Sequence, residues 1–108
     1  MATARMPQPT ADDPVKVDPK HYTVEFENDR VRVLRIKYKP GEKSMMHSHP
    51  ESVAVFLTDA YARFTYPDGK SEDIKAKAGS VQHMDAFTHL PESTGKKPFE
   101  VIQVELKR

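Results

Sequence analysis

Two histidines one residue apart, His47 and His49, lie in the stretch GEKSMMHSHPESVAVFL from Gly41 to Leu57. On an extended segment, residues two apart share a face. The two imidazoles therefore point the same way and offer nitrogen donors to one divalent cation. The chain holds five histidines: His21, His47, His49, His83 and His89. His89, in the extended THLPE stretch, supplies a third ligand if strands distant in sequence face one another. His21 borders the N-terminal stretch and reads as a surface residue. His83 lies across the Asp85–Phe87 bend from His89, where packing or the surface is favoured over ligation. Glu51, His83 and Glu92 are the candidates for a fourth ligand or for a group that holds a ligand in place. Glu51 adjoins Pro50, and Glu92 should face away from His89 if that strand is regular.

Three neutral imidazoles leave the full +2 charge on the ion and at least one open coordination position. With zinc, a bound water would be acidified. With Fe(II), a chelating substrate and dioxygen could share the open positions. A site of two histidines and Glu51 is the alternative. Because the ligands must be neutral, release of metal is expected as pH falls through and below about 6.

Other chemistries are excluded by composition. With no cysteine, the chain has no disulfide, thiolate ligand or thiol nucleophile. Lys plus Arg number 17 against 16 Asp plus Glu, a net charge of +1, so no basic excess points to nucleic acid. The opening MATARMPQPTADDPVKVDPK has no apolar run, which reads as no signal peptide. No apolar stretch approaches membrane-spanning length. A cytoplasmic protein with no membrane or nucleic-acid partner is the expectation.

The elements that must position the histidines read as strands. Residues 1–20 carry Pro7, Pro9, Pro14 and Pro19 and few large apolar side chains, so a mobile arm is expected there. The alternative is an arm draped on a neighbouring subunit, with Val15 and Val17 its only anchors. From Tyr22 the pattern alternates. Within Val31–Tyr38 the apolar phase switches between Val33 and Leu34, which needs either a bulge or burial on both faces. Arg32, Arg35, Lys37 and Lys39 then fall on a solvated strand face. Pro40-Gly41 and Pro67-Asp68-Gly69 are turn signals. A second phase switch appears within Phe99–Lys107. About nine short strands with turns between them, and no sustained helical period, indicate an all-β sandwich or small barrel.

The spacing of Gly41, His47 and His49 matches the first motif of the cupins, G-x5-H-x-H-x(3,4)-E-x6-G, with Val53 where that motif has glutamate and Ala60 where it has glycine. The second motif, G-x5-P-x-G-x2-H-x3-N, is approximated from Gly79, with Asp85 and Phe87 in the proline and glycine places. His89 comes one residue early, and Ser93 stands for asparagine. The chain thus resembles a small single-domain cupin over residues 22–107. The resemblance implies a jelly-roll β-barrel domain over 21–108, a metal on His47, His49 and His89, and usually a homodimer. Similar three-histidine cupins include diketone-cleaving and thiol dioxygenases. The implied activity is therefore oxidation of a small molecule by dioxygen, with Fe(II) favoured and Zn, Ni or Mn as alternatives. A non-catalytic module that senses a metal or small ligand is the second reading, and a barrel that has lost its chemistry the third.

Strand parity places Val53, Val55 and Leu57 on the histidine face as pocket residues, with Phe64 and Phe87 from other strands. The resulting site is apolar and suits a small, partly apolar substrate. Met45 and Met46 flank the ligands as packing residues. Ala54 and Phe56, on the opposite face, are expected to contribute to a dimer contact.

Overall fold

The computed structural model describes residues 12–107. They form one short helix, α1 (Pro14–Val17), and nine strands: β1 (Tyr22–Glu27), β2 (Val31–Tyr38), β3 (His47–His49), β4 (Ser52–Phe56), β5 (Ala60–Thr65), β6 (Ser71–Ala76), β7 (Val81–Met84), β8 (Phe87–Ser93) and β9 (Phe99–Leu106). All strand pairs are antiparallel. One sheet runs β1-β2-β9-β4-β7 and the other β3-β8-β5-β6. Their inner faces share a core in which Leu34, Ile36, Tyr38 and Ala54 of the first sheet meet Ala60 and Ala62 of the second. Among the described residues no helix is long and apolar enough to cross a membrane.

Both phase switches resolve without a bulge in the strand that shows them. β2 pairs with β9 without interruption from Val31↔Leu106 to Tyr38↔Phe99. Val33 and Leu34, which point opposite ways, are both buried, Leu34 in the core and Val33 on the outer face between Phe26 and Val104. The register shift lies instead in β1, between Val24 and Phe26. On β9 the inward phase set by Phe99 and Val101 continues through Gln103 and Glu105, both buried. The apparent switch arises because the inner face turns polar while the outer positions Ile102, Val104 and Leu106 are apolar and half-buried.

Two turns bring the strands into place. Gly69 has φ +87° in the β5–β6 hairpin, where its N–H donates to the Tyr66 carbonyl at 2.9 Å. Gly41 has φ +79°, a conformation that side chains with a Cβ rarely adopt, and it turns the chain from β2 toward β3. Gly41 N–H donates to the Ser93 carbonyl at 3.2 Å, which ties that turn to the end of β8.

Residues 12–20 are not a free arm. Asp13 caps α1 by accepting from Val15 N–H at 2.9 Å, and Pro14 sits buried in the first turn, where a missing N–H costs nothing. Val15 packs against the core. The expectation of a mobile arm over residues 1–11 lies outside the described residues.

Candidate metal centre

The three histidines arrive from two adjacent strands. β3 supplies His47 and His49, and β8 pairs with it in the register His47↔His89. Directly opposed residues on antiparallel strands point to the same face, so His89 joins the pair inside. The ring centroids lie 4.9 Å apart for His47–His49, 4.9 Å for His47–His89 and 5.3 Å for His49–His89. One nitrogen from each can be chosen so that all three lie within 4.8 Å of one another, and all three residues are buried.

Hydrogen bonding fixes the tautomers. His47 Nδ1–H donates to the Met45 carbonyl at 2.7 Å, with Ser44 Oγ at 3.3 Å. His49 Nδ1–H donates to Glu105 Oε2 at 2.9 Å. Each bond takes the proton at Nδ1 and leaves a lone pair on Nε2. His47 Nε2 and both ring nitrogens of His89 are buried with no hydrogen-bond partner among the described residues. Orphaned buried polar atoms are costly unless something meets them. Three clustered imidazole nitrogens are the donor set of a divalent cation, so the residues present fit one. Burial, followed by the neighbouring His49, lowers the His47 pKa to about 4. Burial, then His49 and His47, hold His89 well below the usual histidine range. Both rings therefore stay neutral, the form a metal needs.

A cavity of about 60 Å³ opens beside the cluster. His49, His89, Phe56, Phe64, Phe87 and Gln103 are among its lining. Phe64 and Phe87 meet His89 edge-on, with centroids 4.3 and 4.4 Å away. Gln103 is buried, and its Nε2 has no partner among the described residues. Tyr22 and Tyr38 also border the cavity, their hydroxyls bonded to each other at 2.8 Å.

Several sequence expectations need correction. Val53, Val55 and Leu57 do not line the cavity; Ala54 and Phe56 do. The chain leaves one sheet at His49 and enters the other at Ser52, so the parity set by the histidines ends at Pro50-Glu51. Val53 is therefore a wall of the outer sheet face, paired with Val104 and His83, and not a hydrocarbon among the ligands. Ala54 and Phe56 are inside rather than available for a dimer contact. Glu51 and His83 pair with each other at 2.7 Å on the surface, and neither belongs to the histidine cluster. Glu92 takes the alternate phase of β8, between buried Pro91 and Ser93, and is half-buried. His21 is buried and not a surface residue: it stacks on Tyr38 at 4.1 Å and bonds Asp18 and Glu42. Arg32 is only half-exposed and turns toward Glu105 rather than lying on a solvated face. Met45 is exposed, and its backbone carbonyl is what serves the site.

Glu105 and Gln103 were missed. Strand parity counted from Phe99 and Val101 would have placed both inward, and a buried polar residue in a core phase is the informative signal.

No family model matches the chain, and no curated protein matches its sequence. Solved structures do match. A cupin domain from Bordetella pertussis Tohama I superposes with a TM-score of 0.74 at 23% identity, covering 96% of this chain and 100% of that one. A conserved protein with a double-stranded β-helix domain from Klebsiella pneumoniae gives 0.63 at 20% identity, covering 79% of this chain and 74% of its own. The polyketide cyclase RemF from Streptomyces resistomycificus gives 0.58 at 15% identity, covering 79% of this chain and 63% of its own. At these identities the likeness is one of fold.

Proposed function

We propose that this chain, which has the cupin fold, is a metal-dependent enzyme that oxidises a small molecule with dioxygen, Fe(II) being the favoured ion and Zn, Ni or Mn the alternatives. The observation that carries the reading is the cluster His47, His49 and His89: three buried imidazoles within reach of one ion and with no carboxylate among them. A bound Fe(II) would supply a redox-active Lewis acid with positions left for substrate and dioxygen. The chain's own residues then do the rest. Met45 and Glu105 hold two rings with Nε2 toward the ion. Phe56, Phe64 and Phe87 keep water from the cavity and receive the apolar part of a substrate. The Gln103 amide, in the lining of the same cavity, would offer a hydrogen-bond donor to a substrate oxygen. The test is metal analysis of purified protein beside a triple His→Ala variant, followed by oxygen uptake of the Fe(II)-loaded protein with diketones, thiols and catechols. Equal, near-zero metal in both proteins would sink the metal site. Bound metal without oxygen uptake would sink the oxygenase.

One observation favours a second reading, a non-catalytic sensing module. The cavity, about 60 Å³, is well below the roughly 300–1,000 Å³ usual for small-molecule sites. Uptake of metal with a conformational response but no turnover of any of these compounds would select it.

We also read the two sheets as a jelly-roll barrel, the residence as cytoplasmic and the assembly as a homodimer through the outer face of the five-stranded sheet. Two rows of paired residues cross that face, Phe26-Val33-Val104-Val53-His83 and Arg35-Ile102-Val55-Val81. Phe26 and Val81 are 55% and 62% exposed. The arginine in these rows is already neutralised, since Arg35 pairs with Glu25 and Glu100, and His83 pairs with Glu51. An apolar face whose arginine is already paired suits a second copy of itself.

A further inference from the structure

The segment 12–21 reaches both β3 ligands. The Asp12 carbonyl accepts from Ser48 N–H at 3.0 Å, pinning the segment to β3 between His47 and His49. Asp13 grips the Arg32 guanidinium with both oxygens, Nη1–Oδ2 at 2.9 Å and Nη2–Oδ1 at 3.0 Å. Those bonds use one N–H of each Nη group and hold the plane of the guanidinium, from which Nε–H donates to Glu105 Oε1 at 2.8 Å. That leaves Glu105 Oε2 for His49 Nδ1, at 2.9 Å. A second line runs to His47. Asp18, itself buried, accepts from Ser44 Oγ at 2.5 Å and from His21 Nδ1 at 2.7 Å, and Ser44 Oγ lies 3.3 Å from His47 Nδ1.

We propose that residues 12–21 form a strap that sets the strength and geometry of the metal site, chiefly through Asp13 and Arg32 acting on Glu105 and thus on His49. The proposal rests on the three-histidine cluster being a metal site. Asp13 orients the guanidinium so that Nε–H meets Glu105 Oε1 and Oε2 remains with His49. Arg32 binds a carboxylate most strongly with two parallel N–H groups. Released from Asp13, its plane is free to turn and draw both oxygens of Glu105, and His49 loses its acceptor. A ligand histidine without its carboxylate partner is a weaker base and a less fixed ring. Without Arg32, Glu105 is a buried carboxylate whose charge only His49 answers. Its side chain is 3% exposed, so losing the guanidinium leaves a desolvated charge. Asp13 and Arg32 are thus positioning residues, acting on the ion only through Glu105 and His49.

The experiment uses the full chain loaded with Co(II). It reads the dissociation constant by chelator competition and the site geometry by the visible Co(II) absorption. Glu105→Gln is expected to weaken binding by about 10- to 100-fold, the range for loss of a carboxylate behind a ligand histidine. Asp13→Asn should weaken it in the same direction and shift the visible band, and Asp13→Glu should restore both. Arg32→Lys keeps the charge without the fork and should not restore either. Leu34→Ala, a core change outside the cavity lining, serves as the control for general destabilisation and should leave affinity and band unchanged. The proposal is overturned if folded Asp13→Asn binds within twofold of wild type with the same band. It is overturned equally if Leu34→Ala produces the same loss. Failure of the wild type to bind Co(II) would instead overturn the metal site, and the strap with it.

Discussion

At the scale of single residues, the site depends on rings kept neutral by burial. In the metal-free folded protein His47 protonates only near a pH of about 4, whereas a histidine of the unfolded chain does so near 6.5. Between those values the unfolded chain binds more protons than the folded one. Folding stability is therefore fully present above about 6.5, falls as pH drops through the window and levels off below about 4. His89, also depressed, adds a loss of the same sign. Urea midpoints of the metal-free protein should decline from pH 7 to 4.5, and a His47→Asn/His89→Asn variant should lose most of that slope. The same depression weakens proton competition for the ion. Metal release, expected from the sequence at about pH 6, should move down toward about 4. Gln103 gives a second prediction at this scale. Its Nε2 is buried without a partner among the described residues, a state that costs about 1–3 kcal/mol. Gln103→Leu, similar in size and apolar, should raise the midpoint of denaturation of the metal-free protein. A fall in stability would mean that the amide is satisfied in solution.

At the scale of elements, β3 and β4 form one sequence run and two structural phases. His47 and His49 face inward on β3, and Ser52, Ala54 and Phe56 face inward on β4, because the chain changes sheets between them. Adjacent positions on β4 should therefore respond oppositely to a charge. Ala54→Asp places a carboxylate among core side chains without a partner, at a cost of several kcal/mol, and should fail to fold. Val53→Asp sits on the outer face and should keep the native circular dichroism. The reverse outcome would restore the parity read from the histidines. β2 gives the energetic counterpart. Leu34, fully buried at the centre of the core, should cost about 2–5 kcal/mol when cut to Ala, measured by urea unfolding with an unchanged slope.

At the scale of the whole molecule, the outer face of the five-stranded sheet and the N-terminal strap are the two features that bear on assembly and on the site together. If two copies meet through that face, dissociation is part of unfolding, and the melting temperature should rise with protein concentration. Val104→Lys places a charge at the centre of the apolar rows and should yield a monomer in sedimentation, with its melting temperature independent of concentration. A concentration-independent wild type that sediments as a monomer would remove the dimer. The metal site lies on the inner side of the fold, so the Val104→Lys monomer should still bind metal.

The sequence by itself determined the strand content, the turns at Gly41 and Gly69 and the three histidines, because each rests on local rules: alternation along a strand, a left-handed glycine and the spacing of H-x-H. That His89 joins the pair from a remote strand was legible as a possibility, whereas the register His47↔His89 came from the structure. What only the tertiary structure decided is where local phase stops carrying information. Pro50-Glu51 moves the chain from one sheet to the other, so Ala54 and Phe56 rather than Val53, Val55 and Leu57 reach the cavity. β2 buries Leu34 on its inner face and Val33 on its outer face, so its apolar run has no single phase to read. Glu105 finds His49 and Arg32 across 56 and 73 residues of sequence, and Asp13 joins them from a segment that composition alone marked as unattached. A carboxylate is legible as a ligand's partner only once packing has removed the water that would otherwise serve it.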